Sequence, residues 1–247
     1  MEFWYFPLLT LAGVFAGWIN VLAGGGSLLT VPVMLFMGIP GPVANGTNRI
    51  AILAQNISAV TAFFRRGFSD FKLSLGLAAA AIPGAAAGAM VGVRLEGEWF
   101  DRILALVMIV VMILMALPKK QRPEVGTPST KRFVVGHICM VGVGFWGGFI
   151  QVGVGFLLMP VLHRVMGLDL VRVNMHKVFV ALCYTVVALG IFASQVKILW
   201  IAGICLAIGN SIGGWIGANM TIDKGEKLIG RVFNLILIVF IIKLLFF

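Results

Sequence analysis

Apolar positions in this chain do not alternate, nor do they recur on one face of a helix; they fill whole runs from near the first residue to the last. The runs cover approximately 4–23, 27–38, 43–64, 71–93, 100–117, 133–150, 154–167, 173–193, 197–220 and 230–247. A helix needs about 20 such residues to cross a bilayer, and most of the runs approach that length. The pattern predicts an all-α polytopic membrane protein with about eight spanning helices. Two runs, 27–38 and 154–167, are too short to span. Each follows a glycine cluster, "GGGS" at 24–27 and "QVGVG" at 151–155, and each glycine costs a helix roughly 1 kcal/mol against alanine. They are expected to be half-helices of broken or re-entrant hairpins. Irregular backbone persists at membrane depth only when buried in protein or lining a wet cavity. Paired broken helices of this kind form the substrate sites of secondary transporters.

The only long polar stretch, "PKKQRPEVGTPSTKR" at 118–132, divides the chain into 1–117 and 133–247. These two halves resemble each other. A shift of 129 positions without a gap superposes Gly24 on Gly153, Gly26 on Gly155, Asn45 on Asn174, Gly84 on Gly213 and Arg102 on Arg231. The register reads as a duplication. The loop "RRGFSDFK" (65–72) and the linker are both basic and are expected on the cytoplasmic side, with the acidic loop "RLEGEWFDR" (94–102) outside. In the second half the more basic loop is "DKGEKLIGR" (223–231). Placing it inside puts equivalent loops on opposite sides, which makes the repeats inverted and leaves both termini outside.

Composition sharpens this picture. Hydrophobic residues make up 60% of the 247 and charged ones only 11%, against about half and a quarter in soluble domains. The net charge of +10 is spread between the apolar runs and not gathered on one face, which argues for membrane topology and against nucleic-acid binding. A multi-pass protein of the cell membrane is expected (the inner membrane, if bacterial), in contact with lipid and open to homo-oligomerisation. Cleavable signal features are lacking near the start. Cys139, Cys183 and Cys205 are scattered through apolar runs without CxxC spacing and read as packing thiols. Neither a phosphate-binding GxxxxGK[ST] nor an HExxH occurs, and no acidic pair lies within a run. An enzyme is therefore not expected, nor is a metal or a cofactor.

The candidate chemistry gathers around the breaks. A half-helix starting after Gly26 presents N–H groups and a positive dipole end, favouring an anion by about 0.3–1 kcal/mol. Gly25, Gly26, Gly153 and Gly155 allow close approach to the backbone, and Ser27 adds a hydroxyl. Downstream of each half-helix lies a polar cluster at membrane depth: "NGTNR" with Asn45, Thr47, Asn48 and Arg49, and "NMHK" with Asn174, His176 and Lys177. A basic group at that depth usually marks a pathway or a paired charge. All nine acidic residues fall at the ends of runs or in loops, so Arg49 and Lys177 lack carboxylates and a substrate anion would supply the missing charge. Gln151 and the asparagines would add hydrogen bonds. His176 titrates in the range of a coupling proton; His137 and His163 have weaker claims. The ladders Gly84, Gly88, Gly92 and Gly209, Gly213, Gly217 have the spacing of helix contacts and read as packing. On this reading Arg49→Ala and Lys177→Ala each weaken anion flux and leave expression intact.

The motifs "GGGSLLTVPVM" and "ANGTNRIA", repeated more loosely as "QVGVGFLLMPVL" and "VNMHKVFVA", resemble the TauE/SafE sulfite exporter family, also called the TSUP group. The resemblance covers nearly the whole chain, including the basic linker. It implies a permease for small, often sulfur-containing anions such as sulfite, thiosulfate or sulfonates. Where family members typically carry a small residue or threonine, this chain has Met175 and His176. A passive anion channel is the competing function, because both need basic and dipolar linings.

Overall fold

A computed structural model describes residues 4–95, 99–100, 102–103, 105–106, 109 and 129–246, with side chains as far as residue 225. Residues 96–98 and 101 of the acidic loop, most of the run at 100–117, residues 118–128 of the linker and the side chains of the last run lie outside the described residues.

Helices persist through the apolar runs, and the first four stop at or within two residues of a glycine. Helix α1 (Tyr5–Ala23) ends at Gly24, whose φ of 87° lets its N–H close on the carbonyls of Ile19 and Asn20. A three-residue break follows, then α2 (Ser27–Phe36), only ten residues long. Helix α3 (Gly41–Arg65) starts with a proline in its first turn. Helix α4 (Phe71–Gly92) is capped by Asp70, whose carboxylate accepts from the Leu73 N–H. In the second half, α5 (Thr130–Phe149) is followed by a second break and by the short α6 (Val154–Pro160), which widens into a π-helical turn over Val161–Val165. Then come α7 (Leu170–Gln195), capped by Asp169, and α8 (Trp200–Phe246), interrupted at Gly225. The order long, short, long, long thus occurs twice, with both half-helices where the glycine clusters put them.

Helices α1, α4, α5, α7 and the Trp200–Gly225 part of α8 are long and apolar enough to cross a membrane. Helix α3, at 25 residues, matches them in length but carries the polar cluster at its start. The protein is an all-α, multi-pass membrane protein. Leu11, Phe15, Leu75, Ile138, Ile201 and Ile208 point outward, as lipid-facing positions do.

The two halves interlock. Helix α1 and helix α3 pack on α8, and α4 packs on α5 and α7. The glycine ladders lie at these contacts: a Cβ on Gly84 or Gly88 would strike the backbone of α5 at Val141 or Phe145, and one on Gly213 that of α1 at Val14. Backbones meet this closely only where side chains are absent.

Candidate functional site

The two breaks touch. A Cβ on Gly24 would sit 2.5 Å from the Cα of Gly155, and one on Gly155 would strike Gly24 in return. The second break carries the rarer geometry. Gly153 has φ 72°, and Gln151, which is not glycine, has φ 61°. A non-glycine residue there costs on the order of 1–3 kcal/mol and persists only where its surroundings hold it. The Gln151 side chain is held at both ends: Oε1 accepts from Arg49 Nη1 at 2.8 Å and Nε2 donates to Thr185 Oγ1 at 3.3 Å.

Helices that end inside a membrane leave carbonyls without partners. Here the buried basic residues supply the donors. Arg49 donates from Nη1 to the Gly147 carbonyl at 3.0 Å and from Nη2 to those of Gly148 and Phe149, in the last turn of α5. Its guanidinium also lies 4.2 Å from the centre of the Phe192 ring. Asn45 adds a bond to the Phe149 carbonyl at 3.0 Å. The second half returns the arrangement. Lys177 Nζ donates to the carbonyls of Asn20 and Val21 at 3.0 and 2.7 Å, and Asn174 to that of Leu22 at 3.4 Å, in the last turn of α1. Each half closes the helix end that the other leaves open.

Between the breaks and the two polar helices α3 and α7 lies a cavity of about 20 Å3, enough for at least one water. Its polar wall is rich in donors. Asn20 Oδ1 accepts from the Gly26 N–H at 3.3 Å, which fixes the amide so that Nδ2 donates to Gln55 Oε1 at 3.2 Å. Gln55 therefore presents Nε2, which is buried with no partner among the described residues. Asn56 Nδ2 and the Tyr184 hydroxyl are buried and unpartnered too, and both residues line the cavity. Lys177, Ser27 and Gln151 are the other polar residues of the wall, and among the described residues no carboxylate belongs to it. Such a lining calls for acceptors.

The sulfite exporter TauE/SafE family profile matches residues 9–244. The chain belongs to the TauE/SafE family. It is 28% identical over 246 residues to the probable membrane transporter protein ORF9 of Sinorhizobium sp, covering 99% of this chain and 94% of that protein. The probable membrane transporter protein YfcA of Escherichia coli K12 is 27% identical over 248 residues, covering 97% and 89%. YunE of Bacillus subtilis, another probable membrane transporter protein, is 25% identical over 264 residues, covering 94% of each. No solved structure matches the chain. With this family and these relatives, the protein is a transporter of the cell membrane, in keeping with a role that is not enzymatic.

In this TauE/SafE transporter the sequence-predicted site residues divide into two groups. Ser27, Gln151, Gly155 and Lys177 line the cavity. The others build its frame. Gly25 lies against the Phe156 ring, Gly26 against the Ala16 carbonyl, and Gly153 starts α6. Asn48 donates to Ser27 Oγ at 3.1 Å and accepts from Thr30 Oγ1 at 2.7 Å, which secures the start of α2. Thr47 accepts from the Leu199 N–H at 3.1 Å. Asn45, Arg49 and Asn174 are taken up by helix ends. His176 stands outside the cavity wall, with Nδ1 2.7 Å from Ser74 Oγ. His137 and His163 bond to the nearby carbonyls of Phe133 and Leu168. No group of metal-ligating side chains occurs among the described residues.

Four cavity residues escaped the sequence reading: Asn20, Gln55, Asn56 and Tyr184. One signal could have found two of them. The 129-position register superposes Gln55 on Tyr184, and it superposes Ile52 on Ala181, so both pairs face the same cavity from corresponding positions of the two halves.

Proposed function

We propose that this transporter carries a small sulfur-containing oxyanion or sulfonate, such as sulfite, thiosulfate or sulfoacetate, and holds it in the cavity between the two breaks. The observation that carries this reading is the set of unsatisfied donors, Gln55 Nε2, Asn56 Nδ2 and Tyr184 OH, around the Lys177 ammonium with no carboxylate beside them. A buried donor without a partner costs about 1–3 kcal/mol. An oxyanion, with acceptors on several sides, recovers that cost at several donors at once. The start of α2 adds a favourable dipole end at Ser27, worth about 0.3–1 kcal/mol and more when partly buried. A cavity of only about 20 Å3 is not an open pore, which supports a carrier over a channel. The reading includes two repeats, 1–117 and 133–247, running in opposite senses around a cytoplasmic linker at 118–132, so that the breaks meet near the midplane.

Thermal unfolding of the detergent-solubilised protein against sulfite, thiosulfate, sulfate, sulfoacetate and taurine tests the assignment. A ligand of the folded state raises the midpoint by mass action, and saturable stabilisation by at least one sulfur oxyanion is expected. A flat response to the whole panel would overturn it. Tyr184→Phe gives the sharper outcome. It removes a hydroxyl that has no partner, so the unliganded protein keeps its midpoint or gains slightly. Anion affinity meanwhile falls about tenfold or more, as for a lost hydrogen bond to a charged group. Unchanged affinity in that variant would take Tyr184 out of the site.

A further inference from the structure

A second cavity of about 20 Å3 lies between the α3–α4 turn and α7, and Asp70 and Ser74 form part of its wall beside Phe63, Met175 and Phe179. Asp70 is exposed, whereas Ser74 is 3% exposed and His176, behind it, is fully buried. Ser74 Oγ and His176 Nδ1 are 2.7 Å apart. His176 Nε2 is buried and has no partner among the described residues. An exposed carboxylate and a buried hydroxyl thus share one cavity, and the hydroxyl bonds an imidazole whose other nitrogen has no partner among the described residues. The next residue along α7 is Lys177, in the wall of the first cavity.

We infer that His176 is the binding site for a proton that travels with the anion, reached from the Asp70 end through Ser74. The inference rests on reading the first cavity as an anion site. The transfer is balanced: the Ser74 hydroxyl gives its hydrogen to Nδ1 and takes one from a solvent hydronium in the second cavity, leaving an intact hydroxyl and an imidazolium. Coupling follows from charge. Lys177, the next residue of α7, belongs to the wall of the first cavity, so a proton on His176 adds positive charge near that site and favours an anion in it. Each ligand raises the affinity for the other by the same factor, as linkage requires.

The surrounding charges leave His176 free for this role. Asp70 at the head of α4 acts on it across Ser74, and Asp169 and Arg172 act from the start of its own helix, where they pair with each other at 3.6 Å. Lys72 on α4 is exposed. At the end of α3, Arg65 lies over the Trp215 ring and Arg66 pairs with Asp223 of α8. Lys177 is turned to the carbonyls of α1.

The test uses the purified full chain, as wild type, His176→Gln and Ser74→Ala, in two measurements. In proteoliposomes, wild type is expected to accumulate sulfite or thiosulfate on an imposed pH gradient. His176→Gln is expected to retain anion counterflow at equal pH but to lose gradient-driven accumulation, and Ser74→Ala to slow the latter alone. Nitrogen-15 histidine resonances supply a reading that needs no substrate, because the chain has only 3 histidines. The resonance missing from His176→Gln should move toward imidazolium as the pH falls from about 8 to about 4, a window wide enough for exposed and buried imidazoles alike. Gradient-driven accumulation at the wild-type level in His176→Gln overturns the inference. So does a resonance that stays neutral across the window. Should wild type exchange none of the panel anions, the anion reading fails, and the histidine titration by itself decides whether His176 takes a proton.

Discussion

Arg49→Ala is expected to lower the thermal stability of the protein as well as its transport. The side chain is fully buried. Its two terminal nitrogens serve three carbonyls of α5 and the Gln151 amide. Truncation to alanine takes the side-chain donor from the Gly147 and Gly148 carbonyls and leaves that of Phe149 with Asn45 alone, and it frees Gln151 from one of the two contacts that hold its side chain. Each buried carbonyl left without a donor costs about 1–3 kcal/mol, so losing two donors is a large share of the 5–15 kcal/mol by which proteins typically hold together. The sequence alone suggested a variant with weakened anion flux and intact expression. The capping geometry instead predicts reduced yield and a lower unfolding midpoint. Arg49→Lys separates charge from shape, because an ammonium supplies the charge without the planar fork. It should recover part of the midpoint and little of the flux. An alanine variant with the wild-type midpoint would show that the α5 end does not depend on this cap.

Gly24→Ala should be nearly as costly, for a steric reason. At φ 87° a side chain pays about 1–2 kcal/mol for the left-handed backbone alone. The new methyl would also stand 2.5 Å from the Cα of Gly155, and overpacking of a rigid contact adds about 1–3 kcal/mol. Backbone cannot swing aside as a long side chain can. The two breaks must separate, carrying Ser27 and Gly155 away from the cavity, so anion-induced stabilisation should vanish along with about 2–5 kcal/mol of stability. Gly142→Ala and Gly190→Ala are the controls. Both lie in helices with open space where the methyl would go, and each should gain up to about 1 kcal/mol from helix propensity. Matching midpoints for Gly24→Ala and the controls would refute the close approach of the breaks.

The backbone plan was largely legible in the chain because glycine and proline act locally. The "GGGS" and "QVGVG" clusters placed both breaks, and the half-helices begin at Ser27 and Val154 as those clusters demand. The site was legible in outline only. Lys177 and Ser27 reach the cavity, whereas Arg49, Asn45 and Asn174, which the sequence assigned to a ligand, donate to carbonyls. The reason is physical. Searching the sequence for missing carboxylates treats side chains as the only acceptors, whereas a helix that stops in mid-membrane exposes backbone acceptors of its own. A broken helix thus creates a demand for cations at one end as surely as for anions at the other. Gln55 and Tyr184 were overlooked for the opposite reason. A single amide or phenol in an apolar helix carries no local signature, and its importance depends on what faces it across the bundle.

The exchanged helix caps have a consequence for how the molecule comes apart. Because α3 seals α5 and α7 seals α1, neither half can loosen without stripping donors from buried backbone in the other. Partial opening confined to one half is thereby penalised, and disruption at either seam spreads to both. Though the chain reads as two successive passages of similar text, it melts as one sentence.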